Sequence, residues 1–358
     1  MNGAVLAALS RPDGSTEGSE RGRTSWWKGE ASVAAVSLAA GLAMAGWVEA
    51  HHLIYGLPEA VTQMTVARRL WDTPNPGFSQ LGTGSLSLPA LLFSIPSLFG
   101  GLWQTGLAGS LISLGSSVVA TVAVYRIAIR AGAGRQGGWV ACSVMMATMS
   151  WLYGAVVPVP HAVTVAAICL ATAGIMGWAE RPSSYSPGLV MLFCGAPTAA
   201  AVMSGYEGSF FLVCAGAALV VKLVRREGWT WRGMAAFLLL PMAAWAWGST
   251  YNAVIAGSPT AWFDGRYSQR HVNLALSGEG LLPSYHHLGV AVSESVRSAL
   301  DVSGGGLVLV GMAGLAVWAL GIGGGTGKLW PLLSDSWWSV SGAGCCGSTS
   351  RPPAPPVR

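Results

Sequence analysis

Long apolar segments separated by short polar loops make up most of this chain. Windows that are long enough, or nearly long enough, to cross a bilayer lie at 31–48, 105–125, 138–157, 162–179, 187–204, 208–223, 232–248 and 305–322. Hydrophobic residues make up 52% of the chain and charged residues only 10%, which excludes an ordinary soluble globular domain. The sequence predicts an all-α, polytopic transmembrane helical bundle with about eight spans.

One apolar segment, 86–99, is too short for a comfortable crossing. A transmembrane helix needs about 20 residues, and this segment also carries Pro89 and Pro96. We therefore expect a re-entrant or interfacial helix here and no crossing.

The basic residues predict how the chain is threaded, because loops rich in Lys and Arg favour the cytoplasmic side. If 86–99 does not cross, the N-terminal tail and the two basic clusters at 126–135 and 222–232 face the same side. This predicts a cytoplasmic N-terminus in an integral membrane protein. Three regions then share the outer face, namely the loop 49–85, the turn 204–208 and the loop 249–301.

The chain divides into three parts by composition. Residues 1–28 are rich in Ser, Gly and Arg and are predicted to be a disordered cytoplasmic tail. Residues 29–322 form the predicted transmembrane domain. Residues 323–358 are of low complexity, with a composition that neither spans a membrane nor packs. Our hypothesis is that this last part results from truncation or a frame shift near residue 322.

Four groups of short motifs occur in order along residues 30–270. They are Tyr55-Gly-Leu-Pro-Glu59 with Ala67-Arg-Arg-Leu-Trp-Asp72, Pro76-Gly77 and Gln80-Leu-Gly-Thr83; Ser150-Trp-Leu-Tyr-Gly-Ala-Val-Val-Pro158; Gly205-Tyr-Glu-Gly208 with Phe210-Phe-Leu-Val213; and Tyr251-Asn252 with Gly257-Ser-Pro259 and Phe263-Asp-Gly-Arg-Tyr-Ser268. In this order the set resembles GT-C-type integral membrane glycosyltransferases. The likeness is to an uncharacterised prokaryotic branch related to aminoarabinose transferases and protein O-mannosyltransferases.

The resemblance implies a function at the outer face of a prokaryotic plasma membrane. Such an enzyme, an inverting hexosyl- or pentosyltransferase, moves a sugar from a polyprenyl-phosphate donor to a glycan, lipid or protein acceptor. Its partners are the lipid bilayer, the lipid-linked sugar and the acceptor, and no nucleic acid is expected. The chemistry allows a divalent cation, but the sequence predicts no metal site.

The resemblance also implies roles for individual residues. Glu59 would be the general base on the acceptor hydroxyl, with Asp72 in reserve. Cations near the membrane surface would stabilise the phosphate leaving group. The predicted substrate-binding residues are Arg68, Arg69, His161, Tyr206, Glu207, Asn252, Arg266, Tyr267 and Arg270. The alternative is that the carboxylates are ordinary helix-end charges and that the arginines anchor the chain to anionic lipid.

The sequence departs from the family pattern at four places. Pro58 stands where the family has an Asp before the catalytic Glu, and Gly84-Ser85 stands where a Trp often follows the Gly-Thr step. His161 replaces an acidic residue, and Gly205 replaces an Arg. An inactive or truncated relative therefore stays open, as does a non-enzymatic polytopic protein such as a transporter or an assembly partner. A transporter would place ionisable residues at mid-membrane in broken helices. Here nearly every charge lies at a helix end, which favours the glycosyltransferase.

Overall fold

Helices dominate the computed structural model, which describes residues 16–82, 88–224, 230–265, 268–278 and 287–303 and contains no strand in these ranges. The helices are α1 (Thr16–Ala50), α2 (Pro58–Arg69), α3 (Leu88–Ser97), α4 (Gly100–Thr105), α5 (Leu107–Ala128), α6 (Gly134–Ala147), α7 (Met149–Gly154), α8 (His161–Glu180), α9 (Pro187–Val202), α10 (Tyr206–Val224), α11 (Trp231–Ala256), α12 (Ala261–Asp264), α13 (Gln269–Gly278) and α14 (Leu288–Ser303). The all-α prediction is confirmed for the described residues.

The first two long helices, α1 and α5, pack antiparallel and define the two ends of the bundle. Arg126 near the end of α5 pairs with Glu30 near the start of the α1 apolar segment. Further along, the Ser37 hydroxyl donates to Thr121 Oγ1 over 3.2 Å. We call the end that holds Arg126 the Arg126 end. The opposite end, which holds Ala50 and the start of α5, is called the Glu59 end.

A sharp reversal at Gly132 turns α5 back into α6. The apolar helical run Leu107–Ala147 has 41 residues, and as one straight helix it would be about 60 Å long, twice the thickness of a bilayer core. Gly132 has φ +89°, a conformation open chiefly to glycine. The returning helix packs on α5, where the Cys142 thiol donates to the Thr121 carbonyl.

The remaining long helices run between the same two ends. Helix α8 begins at the Glu59 end, where its first residue, His161, faces Glu59. It ends at the Arg126 end, where Gly177 lies against Arg130. Helix α9 returns to the Glu59 end, where the Leu88 amide donates to the Met203 carbonyl. Helix α10 runs from the Glu59 end to the Arg126 end, and α11 runs back to the Glu59 end. There the Tyr251 hydroxyl contacts the Phe78 carbonyl.

Close approach of these helices depends on small residues. An added Cβ at Gly174 would overlap the Phe193 carbonyl, and one at Gly208 would overlap the Ala201 carbonyl. Small residues at helix contacts are the usual route to tight packing in lipid.

Four described helical segments are long and apolar enough to cross a membrane: Lys28–Ala50, Leu107–Ala147, His161–Glu180 and Tyr206–Val224. Only 22% of the apolar window is buried in the first and the last of them, so much of their apolar surface faces outward, as expected in lipid. The helices Leu88–Ser97 and Pro187–Val202 are apolar but shorter. These features indicate a membrane protein, whereas the number of eight spans stays a prediction.

The segments predicted from the sequence can be compared with the helices of the described residues. Helix α1 begins at Thr16, inside the segment expected to be a tail. The segment 86–99 contains α3, which has 10 residues and is shorter than a span. The predicted window 138–157 is interrupted at Thr148, where the backbone is extended. The window 305–322 and the tail 323–358 lie outside the described residues.

Candidate functional site

Glu59 lies in the first turn of α2, at the Glu59 end of the bundle. Pro58 occupies the start of that helix, a position where its fixed φ and missing amide hydrogen cost nothing. The Glu59 carboxylate beside the helix N-terminus is favoured by the helix dipole. Its side chain is 46% exposed, so solvent and ligands can reach it.

His161 faces Glu59 across the Glu59 end. Its Nε2 lies 3.8 Å from Glu59 Oε2, and the His161 side chain is 65% exposed. The separation is longer than a normal hydrogen bond, so a small movement, or one water molecule, would join the two groups. Both were predicted site residues, Glu59 within the first motif and His161 just after the second. The pairing brings a carboxylate and an imidazole together, a combination suited to moving a proton.

Glu207 belongs to the same end of the bundle, and α8 connects it to Glu59. Thr164 follows His161 by one helical turn. A Cβ added to Gly205 would lie 2.5 Å from Glu207 Oε2 and 4.0 Å from Thr164 Oγ1. The first turn of α8 therefore lies near both carboxylates. Gly205, one of the departures from the pattern that the sequence resembles, leaves the space that the Glu207 side chain uses.

An open apolar groove of about 520 Å³ starts at Glu207 and continues along α10. Phe210, Phe211 and Cys214 line it on α10, and Ile168 lines it on α8. Phe210 is 72% exposed. The groove thus combines a carboxylate at the Glu59 end with an apolar floor that leads toward the middle of the bundle.

Tyr206 and Asn252 have contacts within the protein. The Tyr206 hydroxyl donates to the Trp262 carbonyl over 2.7 Å, and the two rings lie 5.8 Å apart. Asn252 is 2% exposed, and its Nδ2 donates to the Gly248 carbonyl. Its Oδ1 is buried and accepts no hydrogen bond from the described residues, which is an uncommon arrangement for a buried amide.

Arg68 ties two elements of this end together. Its guanidinium contacts Asp72 Oδ2 at 2.7 Å, donates to the Ser97 carbonyl at 2.7 Å and lies over the Trp103 ring. It thereby satisfies a carbonyl at the C-terminus of α3. Asp72, the reserve base, is the partner of Arg68. These contacts give both residues a structural role, and their predicted substrate roles stay predictions.

The other predicted cations are differently placed. Arg69 is exposed on α2, and the Arg270 guanidinium lies 5.6 Å from the centre of the Phe263 ring. Arg266 and Tyr267 were also predicted to bind substrate and lie outside the described residues, as does Thr83 of the first motif.

Sequence reasoning missed several contacts of the Glu59 end. The Tyr55 hydroxyl donates to the Trp103 carbonyl, and the Tyr251 hydroxyl donates to the Phe78 carbonyl over 2.8 Å. Burial raises the pKa of both phenols above the ordinary value of 10.0. Both tyrosines belong to motifs already singled out, so their position was available from the sequence, but their partners lie far away in the chain.

The described residues include no cluster of three or more His, Cys, Asp or Glu side chains that could hold a metal ion. Comparison with known proteins adds no identification: no family model matches the chain, and no curated protein or solved structure matches it significantly. The functional argument therefore depends on the residues of this site.

Proposed function

We propose that the chain is an integral membrane glycosyltransferase that moves a sugar from a polyprenyl-phosphate donor to an acceptor hydroxyl at the extracytoplasmic face. The observation that carries the proposal is the position of Glu59, which faces His161 at the same end of the bundle as Glu207 and its apolar groove. An accessible carboxylate at the same end of the bundle as an open apolar groove suits a reaction between a lipid-linked donor and a polar acceptor.

The groove between α8 and α10 would hold the isoprenoid tail of the donor. From Glu207 to Cys214 the helix rises about 10 Å at 1.5 Å per residue, and the exposed side chains along it are apolar. A tail bound there would hold its phosphate at the Glu59 end. Arg69 and Arg270, both exposed, are the cations proposed to bind that phosphate.

Glu59 would act as the general base. Its carboxylate takes the proton from the acceptor hydroxyl while the hydroxyl oxygen attacks C1 of the sugar, and the bond from C1 to the phosphate oxygen breaks. The phosphate leaves with the electron pair and the negative charge, and the anomeric centre is inverted. His161 would orient the Glu59 carboxylate by a hydrogen bond, which makes it a positioning residue.

The proposal includes a membrane orientation. From Lys28 onward, the described basic residues at the Arg126 end are Lys28, Arg126, Arg130, Arg135, Arg181, Lys222 and Arg232, and the acidic ones are Glu30 and Glu180. Such an excess of positive charge favours the cytoplasmic side. The Glu59 end then faces outward in a plasma membrane, within a fold of about eight spans in which 86–99 is interfacial or re-entrant.

The test is sugar transfer by the purified full chain in proteoliposomes. Radiolabelled polyprenyl-phosphate hexose and pentose serve as donors, and delipidated envelope extract serves as the acceptor. Glu59→Gln should lower the rate by about 10²–10⁴, the usual loss for a positioned general base. Glu49→Gln is the matched control because Glu49 is an exposed carboxylate at the same end, and it should leave the rate unchanged.

A binding measurement separates a failed donor site from failed chemistry. Cys214 is exposed in the groove, so bound polyprenyl phosphate should slow its reaction with a membrane-permeant maleimide when Cys345 and Cys346 are replaced by Ser. Protection without transfer from either donor would leave a lipid-binding, non-enzymatic protein. Absence of both protection and transfer would refute the glycosyltransferase.

A further inference from the structure

A second cleft, of about 450 Å³, opens at the Arg126 end. It lies between the end of α5, the end of α8 and the segment 181–193, far along the helices from Glu59. Three arginines line it, Arg126, Arg130 and Arg181, together with Glu180 and Tyr185. Because Glu30 neutralises Arg126, the charges that remain are those of Arg130 and Arg181 against Glu180, and the cleft keeps a net positive lining.

Hydrogen bonds to other parts of the bundle fix Arg126 and Arg130 in place. The Arg126 guanidinium makes hydrogen bonds of 2.6 and 2.7 Å to the two oxygens of Glu30, and Arg130 donates to the Ala173 carbonyl. Because Glu30 is buried, this pair fixes the direction of the Arg126 side chain. Such preorganised guanidinium groups suit planar or tetrahedral oxyanions.

The floor of the cleft carries a phenol beside the second arginine. A Cβ added to Gly177 would lie 2.6 Å from the Tyr185 hydroxyl oxygen and 2.8 Å from Arg130 Nη1. Gly177 therefore leaves the room in which these two groups approach each other. Arg181 also lines the cleft and is exposed, so a ligand that enters from solvent can reach it.

The same cleft has an apolar wall. Ile129, Leu189 and Phe193 line it, and Phe193 is 46% exposed. Its neighbour Leu192 is 58% exposed on the apolar helix α9. The cationic pocket is thus continuous with the outward-facing apolar surface of the bundle. A small soluble anion would use only the arginines and the phenol, whereas an anionic amphiphile would use both parts.

We propose that this cleft binds a phosphate group carried by an anionic lipid, with the phosphate between Arg130, Arg181 and the Tyr185 hydroxyl and the acyl chains along Leu189 and Phe193. The proposal does not depend on the glycosyltransferase activity, because it concerns the other end of the bundle and uses none of the residues assigned to transfer.

The experiment measures lipid binding by native mass spectrometry of the full chain released from a neutral detergent. Phosphatidylglycerol is compared with phosphatidylcholine of the same chains. Arg181→Gln should weaken phosphatidylglycerol binding about tenfold, since a charged hydrogen bond contributes about 1.4 kcal/mol or more. Tyr185→Phe should weaken it about threefold. Arg135→Gln is the matched control, because Arg135 is exposed at the same end but does not line the cleft.

Competition with inorganic phosphate distinguishes the source of the phosphate group. Binding that survives millimolar phosphate, and that is lost in Arg181→Gln but kept in Arg135→Gln, supports the lipid. Full competition by phosphate at the concentration of the lipid overturns the lipid and leaves a site for a soluble phosphate. Equal losses in Arg181→Gln and Arg135→Gln, with unchanged thermal unfolding temperatures, would mean diffuse surface charge and would overturn the cleft.

Discussion

The two ends of the bundle are held together by different interactions. At the Arg126 end, a buried ion pair joins α1 to α5, with Glu30 only 5% exposed and two hydrogen bonds to Arg126. At the Glu59 end, neutral hydroxyls of Tyr55, Tyr206 and Tyr251 donate to backbone carbonyls in other segments. The ion pair of Arg68 with Asp72 at this end is exposed, since the Asp72 side chain is 65% exposed. The Glu59 carboxylate itself is 46% exposed and lies 3.8 Å from His161.

This difference separates structural charges from available ones. A buried ion pair must stay together, because either charge left alone would be poorly solvated. An exposed pair such as Glu59 and His161 contributes little to stability and remains accessible to a ligand. Carboxylate chemistry is therefore expected at the Glu59 end, whereas Glu30 is reserved for Arg126.

The largest contrast concerns which side of the membrane each end faces. Thr62 on α2 and Gln136 on α6 are both exposed and lie at opposite ends. With Cys214, Cys345 and Cys346 replaced by Ser, Thr62→Cys should react almost completely with an impermeant maleimide in intact cells, and Gln136→Cys only after permeabilisation. The reason is the concentration of basic residues at the Arg126 end.

A detergent-solubilised sample serves as the control, since both cysteines should label there. The reverse pattern in cells would put the Glu59 end in the cytoplasm. It would remove the extracytoplasmic part of the proposed function and leave the packing of the helices untouched.

The second contrast concerns stability. Glu30→Ala leaves Arg126 without its ionic partner, and removing one member of a buried pair typically costs 3–5 kcal/mol. We expect about 3 kcal/mol, because the Arg126 side chain is 33% exposed and regains some hydration. Glu59→Ala should cost less than about 1 kcal/mol. Chemical unfolding in bicelles measures both.

The double variant Glu30→Ala with Arg126→Ala controls for the loss of the Glu30 charge beside Arg126. It should lose less stability than Glu30→Ala alone, since no arginine that has lost its carboxylate remains. If Glu59→Ala proved as destabilising as Glu30→Ala, the distinction between structural and available carboxylates would be wrong.

Local sequence patterns predicted much of the helical architecture. Apolar windows marked most of the long helices, and the short segment 86–99 contains the 10-residue helix α3; that this helix does not cross the membrane stays a prediction. The patterns worked here because helix length and hydropathy are properties of contiguous residues. They gave no warning of the interruption at Thr148, where an apolar window contains two helices.

The contacts of the site were harder to predict. Glu59 and His161 were each singled out, but their pairing joins residues 102 positions apart, and that of Glu30 with Arg126 joins residues 96 positions apart. Which faces of two helices meet depends on their rotation and tilt, and a single sequence does not determine either. For the same reason the sequence did not reveal that the Arg68 guanidinium binds Asp72 and the end of α3; its role as a phosphate ligand stays a prediction.

The smallest contrast concerns the neutral hydrogen bonds of the Glu59 end. Tyr251→Phe removes the hydrogen bond that joins α11 to the Phe78 carbonyl, so at pH 7 it should cost about 1 kcal/mol. Burial raises the pKa of the Tyr251 phenol above 10.0, so the folded chain holds this proton more tightly than the unfolded chain. The contribution of the hydroxyl is therefore complete below pH 10 and is lost as the pH rises through the folded pKa.

Measured against pH, the stability difference between the original chain and Tyr251→Phe should be constant from pH 7 to about 9 and should shrink above pH 10. Amide exchange around Phe78 should also be faster in the variant, because that loop loses its tie to α11. A difference that grew above pH 10 would mean that ionised Tyr251 is stabilised in the fold. The distinction between neutral tyrosine hydrogen bonds at the Glu59 end and the buried ion pair at the Arg126 end would then be wrong.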